Sequence, residues 1–328
     1  MSIPSLRIST ASGCNHRCTG CQFGGDYAVR NQSLLTSDSA WRIIEGSIHK
    51  FHKAGVRHFS LTGGEPLTNP VVTFRAAELI RELIADEGYL RINSNGVLVP
   101  KHIRKMSMFD LVKISLLGLD EETYQENTGS KNAKRDLSAT LKGLDMLCEH
   151  DIPVRLQVIV YPNTKDRLWE WVSLAEQYPC VKALKFFDLS EYSELWREDG
   201  RDSADVHDEN YVSLRLFEQE LLKVSAVLQG NSFSIGGYGN PMPTYRYNGL
   251  EIRLRTSDEV AFYSSHCNSC IAKPFCRDGH CNLEVGPNGL IKVCRPMEGV
   301  FFRPGEESDA VGLFQNTDQE KVPPFRAR

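Results

Sequence analysis

The chain has 328 residues, 41% hydrophobic and 24% charged, with a formal net charge of −4. That length buries a large core in one large domain or two, and the slightly acidic balance leaves no basic footprint for a nucleic-acid backbone. No stretch reaches the roughly 18 consecutive apolar residues of a membrane span, and the first residues lack the apolar run of a signal peptide, so the expectation is a cytoplasmic protein with neither nucleic-acid nor membrane partner.

Strand and helix signals alternate through the first half. Leu6 to Ser9 reads as a strand leading into a cysteine loop, Cys14-Asn-His-Arg-Cys18-Thr-Gly-Cys21. Ser37 to Ala54 predicts a helix with Trp41, Ile44, Ile48 and Phe51 on one face, stopped by Gly55. His58 to Thr62 is a short strand ending in Gly63-Gly64-Glu65-Pro66. Asn69-Pro70 starts a helix with proline in its first turn, running through Phe74, Ala77 and Leu83 to Gly88. Tyr89 to Ile92 is the next strand, followed by Asn93-Ser-Asn-Gly96, and Leu111 to Leu116 follows a short helix. A helical stretch from Glu121 to Glu149 breaks near Gly129; strands at Val154–Val160 and Ala183–Phe187 flank a helix from Arg167 to Gln177.

This rhythm implies a parallel sheet with helical crossovers. It fits α/β architecture as a full or partial (β/α)6 barrel, with an open doubly wound sheet as the rival. After Phe187 the pattern changes. Residues 189–209 are rich in Asp, Glu, Ser and Arg and read as a solvated loop, Tyr211 to Leu228 as a helix, and 230–262 as hairpins. The expected division is 1–188 for the barrel, 189–262 for an insertion or linker, and 263–328 for a cysteine-rich domain with a loose tail.

Ten cysteines in a long chain with no secretion signal point to metal or catalytic use. Cys148 and Cys180 stand alone and read as small buried hydrophobes. Cys14, Cys18 and Cys21 have C-x3-C-x2-C spacing, three thiolates where a [4Fe–4S] cluster takes four, so one iron is left for a small molecule. Zinc, with His16 as fourth ligand, is the alternative. In a parallel barrel the loops at strand C-termini build the active site. The cysteine loop, Gly63-Gly64-Glu65-Pro66 and Asn93-Ser-Asn-Gly96 follow consecutive strands and should gather at one mouth.

Together these residues resemble the radical S-adenosylmethionine (SAM) enzymes over roughly residues 5–188. That family carries C-x3-C-x2-C after its first barrel strand and a G-G-E-P-like turn after its second. The resemblance implies that Cys14, Cys18 and Cys21 ligate a [4Fe–4S] cluster, that SAM chelates its open iron, and that Gly63, Gly64 and Glu65 contact SAM. The family places an aromatic before the third cysteine where this chain has Gly20, which leaves the adenine contact there to backbone, with Phe23 in compensation. Strand alternation puts Lys113 and Ser115 on one face and Arg155 and Gln157 on one face; Asn95, Ser115 and Gln157 are further SAM-binding candidates, with ordinary barrel hydrogen bonding the alternative for each.

Five late cysteines, Cys267, Cys270, Cys276, Cys281 and Cys294, crowd a short segment. The run is similar to the C-terminal cluster domain of the radical SAM group related to the GTP 3′,8-cyclase of molybdenum cofactor biosynthesis. That implies a second, auxiliary [4Fe–4S] cluster on Cys267, Cys270, Cys276 and Cys294. Cys281 competes for one place, or else is a hydrogen-atom donor or an inert thiol. The chain ends Arg326-Ala-Arg328 where the cyclase ends Gly-Gly, and its hairpin has Leu283-Glu-Val285 where the cyclase has arginines, so a different substrate is implied.

The resemblance implies reductive cleavage of SAM to a 5′-deoxyadenosyl radical, fed by an external one-electron reductant such as flavodoxin or ferredoxin. The favoured substrate is a small biosynthetic intermediate of nucleoside, nucleotide or sugar type, with Arg253 and Arg255 as candidates for its phosphate or carboxylate. The alternatives are modification of a peptide or protein and, outside catalysis, an iron–sulfur carrier or sensor.

Overall fold

The computed structural model describes residues 5–21, 37–189, 203–232, 241–256, 262–264, 268, 283–286, 289–292, 301–315 and 319–321. Period-two burial decides its central sheet. In β3 (Tyr89–Ser94) and β5 (Val154–Ile159), every second residue is buried and the residues between are half-buried. Leu90, Ile92, Leu156 and Val158 are fully buried and face the helices, which leaves Arg91, Asn93, Arg155 and Gln157 for the other face. The same alternation runs through β4 (Leu111–Ser115) and β6 (Val181–Phe187).

With β1 (Leu6–Ala11) and β2 (His58–Gly63), these strands pair in parallel in chain order, β1 to β6. The helices that return the chain are α1 (Ser37–Lys53), α2 (Pro70–Ile84), α3 (Val99–Met106), α4 (Glu121–Thr128), α5 (Ala133–Glu149) and α6 (Leu168–Glu176). The expected face of α1 is the buried one: Ile44, Ile48 and Phe51 are fully buried and Trp41 nearly so. Each such side chain contributes about 1.5–3 kcal/mol of burial. Gly129 (φ +59) caps α4 in the left-handed conformation and starts the break before α5. This is a partial (β/α)6 barrel, as the alternation predicts.

The sheet does not stop at Phe187. After α7 (Ser203–Asn210) and α8 (Arg215–Lys223), β7 (Val227–Ser232), β8 (Met242–Tyr247) and β9 (Leu250–Arg255) extend it, β9 lying parallel to β6. Asn248 (φ +46) and Gly249 (φ +84) make the β8–β9 turn, the Asn-Gly pair that a two-residue hairpin favours. Further on come β10 (Phe262–Ser264), β11 (Leu283–Val285), β12 (Ile291–Lys292), β13 (Phe301–Phe302), α9 (Glu307–Gln315) and β14 (Gln319–Lys321). β11 returns to the far edge, parallel to β1, with β12 and β13 antiparallel beyond it; β10 and β14 pair separately. One sheet thus runs through all three expected segments.

Three expectations are corrected. Tyr211 to Leu228 is not one helix: α8 occupies its middle, Ser225 (φ +64) turns the chain, and Val227 begins a strand that β8 pairs. Residues 203–209, expected in a solvated loop, lie in α7 (Ser203–Asn210). Cys148 and Cys180 are not separate apolar thiols but a disulfide, with Cα atoms 4.9 Å apart. The start of β5 brings them together, because Val154 N–H donates to the Cys180 carbonyl while Cys148 lies in the last turn of the preceding helix.

Candidate active site

The three loops that follow β1, β2 and β3 meet, and backbone contacts dictate how. Gly64 N–H donates to the Ala11 carbonyl (3.0 Å) and Glu65 N–H to the Gly13 carbonyl (2.8 Å). A Cβ on Gly63 (φ +148) would stand 2.2 Å from the Ala11 carbonyl oxygen, and one on Gly64 2.2 Å from that of Gly13. Both glycines are therefore needed for the turn to lie against the base of the cysteine loop.

Glu65 is buried inside this junction. Its carboxylate accepts from Leu67 N–H (3.1 Å), Ser94 Oγ (2.9 Å) and Asn95 N–H (2.7 Å), so it pins the β2 turn to the end of β3. Burial pushes its pKa up to about 7, against the pull of those donors. The side chain expected on SAM thus also braces the protein. Asn95 crosses from the β3 turn to the cysteine loop, donating to Asn15 Oδ1 (2.7 Å) and accepting from Val97 N–H.

Cys14, Cys18 and Cys21 are free thiols on the loop so held. Burial pushes the Cys14 thiol up to about 12 and Cys18 well above its ordinary value, and each sulfur's neighbours raise it further because thiolates repel. A cationic metal centre removes both penalties, so this donor set fits an iron–sulfur cluster. His16 turns away from the sulfurs: its Nε2 lies 3.5 Å from Asp136 Oδ2 and its ring meets Tyr124 edge-on at 5.6 Å.

Sequence reading missed what braces the loop from outside. Arg17 and Thr19 N–H donate to the carbonyls of Thr128 and Asn127 at the end of α4. Gly20 N–H donates to the Tyr161 hydroxyl (2.9 Å), and a Cβ on Gly20 would come within 2.6 Å of that oxygen. Gly20, where an aromatic was expected, is thus matched to a buried tyrosine at the end of β5; Phe23 lies outside the described residues.

Below the mouth, the concave face of the sheet is cationic. Register sets Ser115 opposite Gln157, Gln157 opposite Lys185, and Lys185 opposite Arg253. Lys113 stands opposite Arg155, and Arg91 and Arg7 follow on β3 and β1. Arg7 lies 3.7 Å from Glu284, and Arg253 donates to Glu251. Arg255 lies over the Phe187 ring. Among the described residues, Arg91, Lys113, Arg155 and Lys185 make no ion pair with a carboxylate. Burial, reinforced by their positive neighbours, drives Lys113 and Lys185 well below the usual lysine range and Arg91 and Arg155 down to about 10. The sequence showed Lys113 and Arg155 on inward faces; Arg91 and Lys185 joined them only through register. Cys267, Cys270, Cys276, Cys281 and Cys294 lie outside the described residues.

A parallel half-barrel with three thiols on the loop after its first strand, locked to a Gly-Gly turn after its second, defines a cofactor-dependent enzyme. Residues 8–175 match the Radical SAM superfamily, and the chain belongs to it. It is therefore a radical SAM enzyme, with SAM and an iron–sulfur cluster as cofactors. It is 24% identical over 300 residues to the GTP 3′,8-cyclase of Clostridium perfringens (strain SM101 / Type A), covering 89% of this chain and 80% of that one. The probable GTP 3′,8-cyclase of Methanococcus aeolicus is also 24% identical, covering 89% and 85%. In Rippkaea orientalis the GTP 3′,8-cyclase is 31% identical over 169 residues, 49% of each chain. Among solved structures, native anSMEcpe with bound AdoMet superposes with TM-score 0.55 at 14% identity, covering 94% of this chain and 79% of that one, a likeness of fold. Among the described residues no helix is long and apolar enough to cross a membrane.

Proposed function

We propose that the chain removes a hydrogen atom from a small, multiply anionic biosynthetic intermediate, a phosphorylated nucleoside or sugar, held in the barrel lumen. The carrying observation is the group Arg91, Lys113, Arg155 and Lys185, four inward basic side chains that make no ion pair with a carboxylate among the described residues. Burial disfavours the charged form of each, and a bound anion would offset that cost. A set of them on one concave face is the complement of a polyanion. The small size of the substrate is supported by the likeness to curated GTP 3′,8-cyclases, and the arginines on β9, Arg253 and Arg255, extend the same face.

In this reading Cys14, Cys18 and Cys21 hold the [4Fe–4S] cluster. With SAM bound, that cluster supplies the 5′-deoxyadenosyl radical for hydrogen abstraction. Gly63 and Gly64 bring backbone to the SAM amine, Glu65 fixes that turn, and Asn95, Ser115 and Gln157 line the path from mouth to lumen. The lumen excludes water from the reacting carbon and holds the anionic end of the substrate at its base. A second [4Fe–4S] cluster on Cys267, Cys270, Cys276 and Cys294, with Cys281 as competing ligand or hydrogen donor, is part of the same proposal. It is supported by the β11–β12 hairpin, which begins two residues after Cys281, ends two before Cys294, and opens toward the N-terminal end of β1. The protein is read as cytoplasmic.

The test is 5′-deoxyadenosine formation by the anaerobically reconstituted enzyme across phosphorylated nucleosides and sugars, their unphosphorylated counterparts, and peptides. A phosphorylated compound should raise the rate at least tenfold over the substrate-free level, with KM increased at least tenfold in Lys113→Gln and Arg155→Gln, and no product in Cys18→Ala. Equal turnover of the unphosphorylated counterpart, or stimulation by peptides alone, would refute the proposal.

A further inference from the structure

A 390 Å³ cavity opens between the cysteine loop, the start of α3 and the α4–α5 turn. Cys14 forms part of its wall, so the cavity gives access to the thiol loop. Its rim is basic: Arg17, Lys131 and Arg135 line it, and Lys134 follows one residue inside the first turn of α5. All four are exposed. Asp136 is the carboxylate of the lining, and it is already engaged, accepting from Arg135 (2.9 and 3.1 Å) and Ser130 (2.7 Å). Among the described residues Lys131 and Lys134 make no hydrogen bond or ion pair, so their charge is presented to solvent.

The floor is rigid where it touches the loop. Arg17 N–H donates to the Thr128 carbonyl at 2.8 Å, and a Cβ on Gly129 would lie 2.8 Å from the Arg17 carbonyl oxygen. The buried His16 ring packs on Tyr124 beneath. This positive rim differs from the basic side chains on the sheet in being exposed to solvent. On a chain of net charge −4, it concentrates positive field at one place.

We propose that this basic rim is the docking surface for an acidic one-electron carrier protein, which delivers its electron at the Cys14 side of the cluster. The inference rests on the reading that Cys14, Cys18 and Cys21 hold that cluster. One electron leaves the reduced carrier and enters the cluster; no bond forms or breaks in the transfer. Steering of this kind acts mainly on association and weakens with salt.

The experiment compares two electron sources in the reconstituted full-length enzyme, reduced flavodoxin as the acidic carrier and dithionite as the chemical reductant. In Lys131→Glu/Lys134→Glu, the KM for flavodoxin should rise at least tenfold and the salt sensitivity of the flavodoxin-driven rate should disappear. Dithionite-driven 5′-deoxyadenosine formation should stay within twofold, and Lys131→Arg/Lys134→Arg should restore the flavodoxin-driven rate. An unchanged KM for flavodoxin overturns the proposal. So does an equal loss with both reductants, which would make the rim part of the SAM or substrate site, and so does a wild-type enzyme that runs on dithionite but takes no electron from flavodoxin. No 5′-deoxyadenosine from the wild-type enzyme with dithionite would instead overturn the cluster reading beneath it.

Discussion

Replacing Glu65 separates two roles that one carboxylate could play. The resemblance to other radical SAM enzymes puts it on SAM; the structure gives it three protein donors at 2.7–3.1 Å, with the residue 1% exposed. The Ser94 hydroxyl can rotate, but the Leu67 and Asn95 N–H groups cannot. A hydrogen bond to a charged group is worth about 1.5–3 kcal/mol, and an orphaned buried donor costs about 1–3 kcal/mol. Glu65→Ala should therefore lose about 3–5 kcal/mol, a large share of a typical stability of about 5–15 kcal/mol. Glu65→Gln keeps one oxygen and sets an amide NH2 against the other donor, for a loss of about 2 kcal/mol near neutral pH.

A pH signature accompanies this. The folded carboxyl has its pKa near 7 against an ordinary 4.5. Between those values the folded state holds more protons than the unfolded one, so the group's contribution is complete below 4.5 and fades as pH rises through 7. The gap between wild type and Glu65→Gln should widen by about 3 kcal/mol on going from pH 7 to 4.5. The assay is urea unfolding of the cluster-free protein, followed by tryptophan fluorescence, with SAM affinity of the reconstituted variants measured by equilibrium dialysis. Both variants should be destabilised, while folded Glu65→Gln binds SAM within about threefold of wild type. A Glu65→Gln protein as stable as wild type but with SAM affinity lost tenfold would refute the reasoning.

Other consequences are more local. Gly64→Ala places a Cβ 2.2 Å from the Gly13 carbonyl oxygen; backbone must move, and iron bound after reconstitution should fall below half of wild type while the far-UV circular dichroism is kept. Reduction of Cys148–Cys180 frees a loop whose ends lie 32 residues apart, so Cys148→Ser/Cys180→Ser should lower unfolding stability by about 3–4 kcal/mol under oxidising conditions, and matching midpoints with and without reductant in wild type would argue against the bridge.

The alternating barrel was legible in the sequence because its signals are local. Each strand shows its two faces within a few residues, and each loop carries its own glycines or cysteines. Gly129 ended α4 because a left-handed cap needs no distant partner. What escaped was non-local. The cationic lumen depends on which strand lies opposite which, so Lys185 could not be placed beside Arg253 until β9 was known to join β6. The disulfide joins a helix end to a strand start that meet only after β5 and β6 have paired. Glu65 looked like a ligand contact because its turn does sit at the mouth; the direction of its side chain, toward Ser94 and the Asn95 amide, gives it a bracing role that sequence did not show. Tyr161 gave no signal beyond its position at the end of β5, since the space it fills was defined by a glycine far earlier in the chain.

The pairing of β11 with β1 has a consequence for the order of assembly. Leu6 takes its partner at Leu283, almost a full chain length later. During synthesis the outer edge of β1 stays open, its hydrogen-bonding groups unpaired, while the rest of the half-barrel can already form. An exposed strand edge is a template for pairing with other chains, and a contact of such long sequence separation forms slowly. The strand that leads to the cysteine loop is therefore sealed late, so premature release or truncation before residue 283 should leave an aggregation-prone edge beside the thiols.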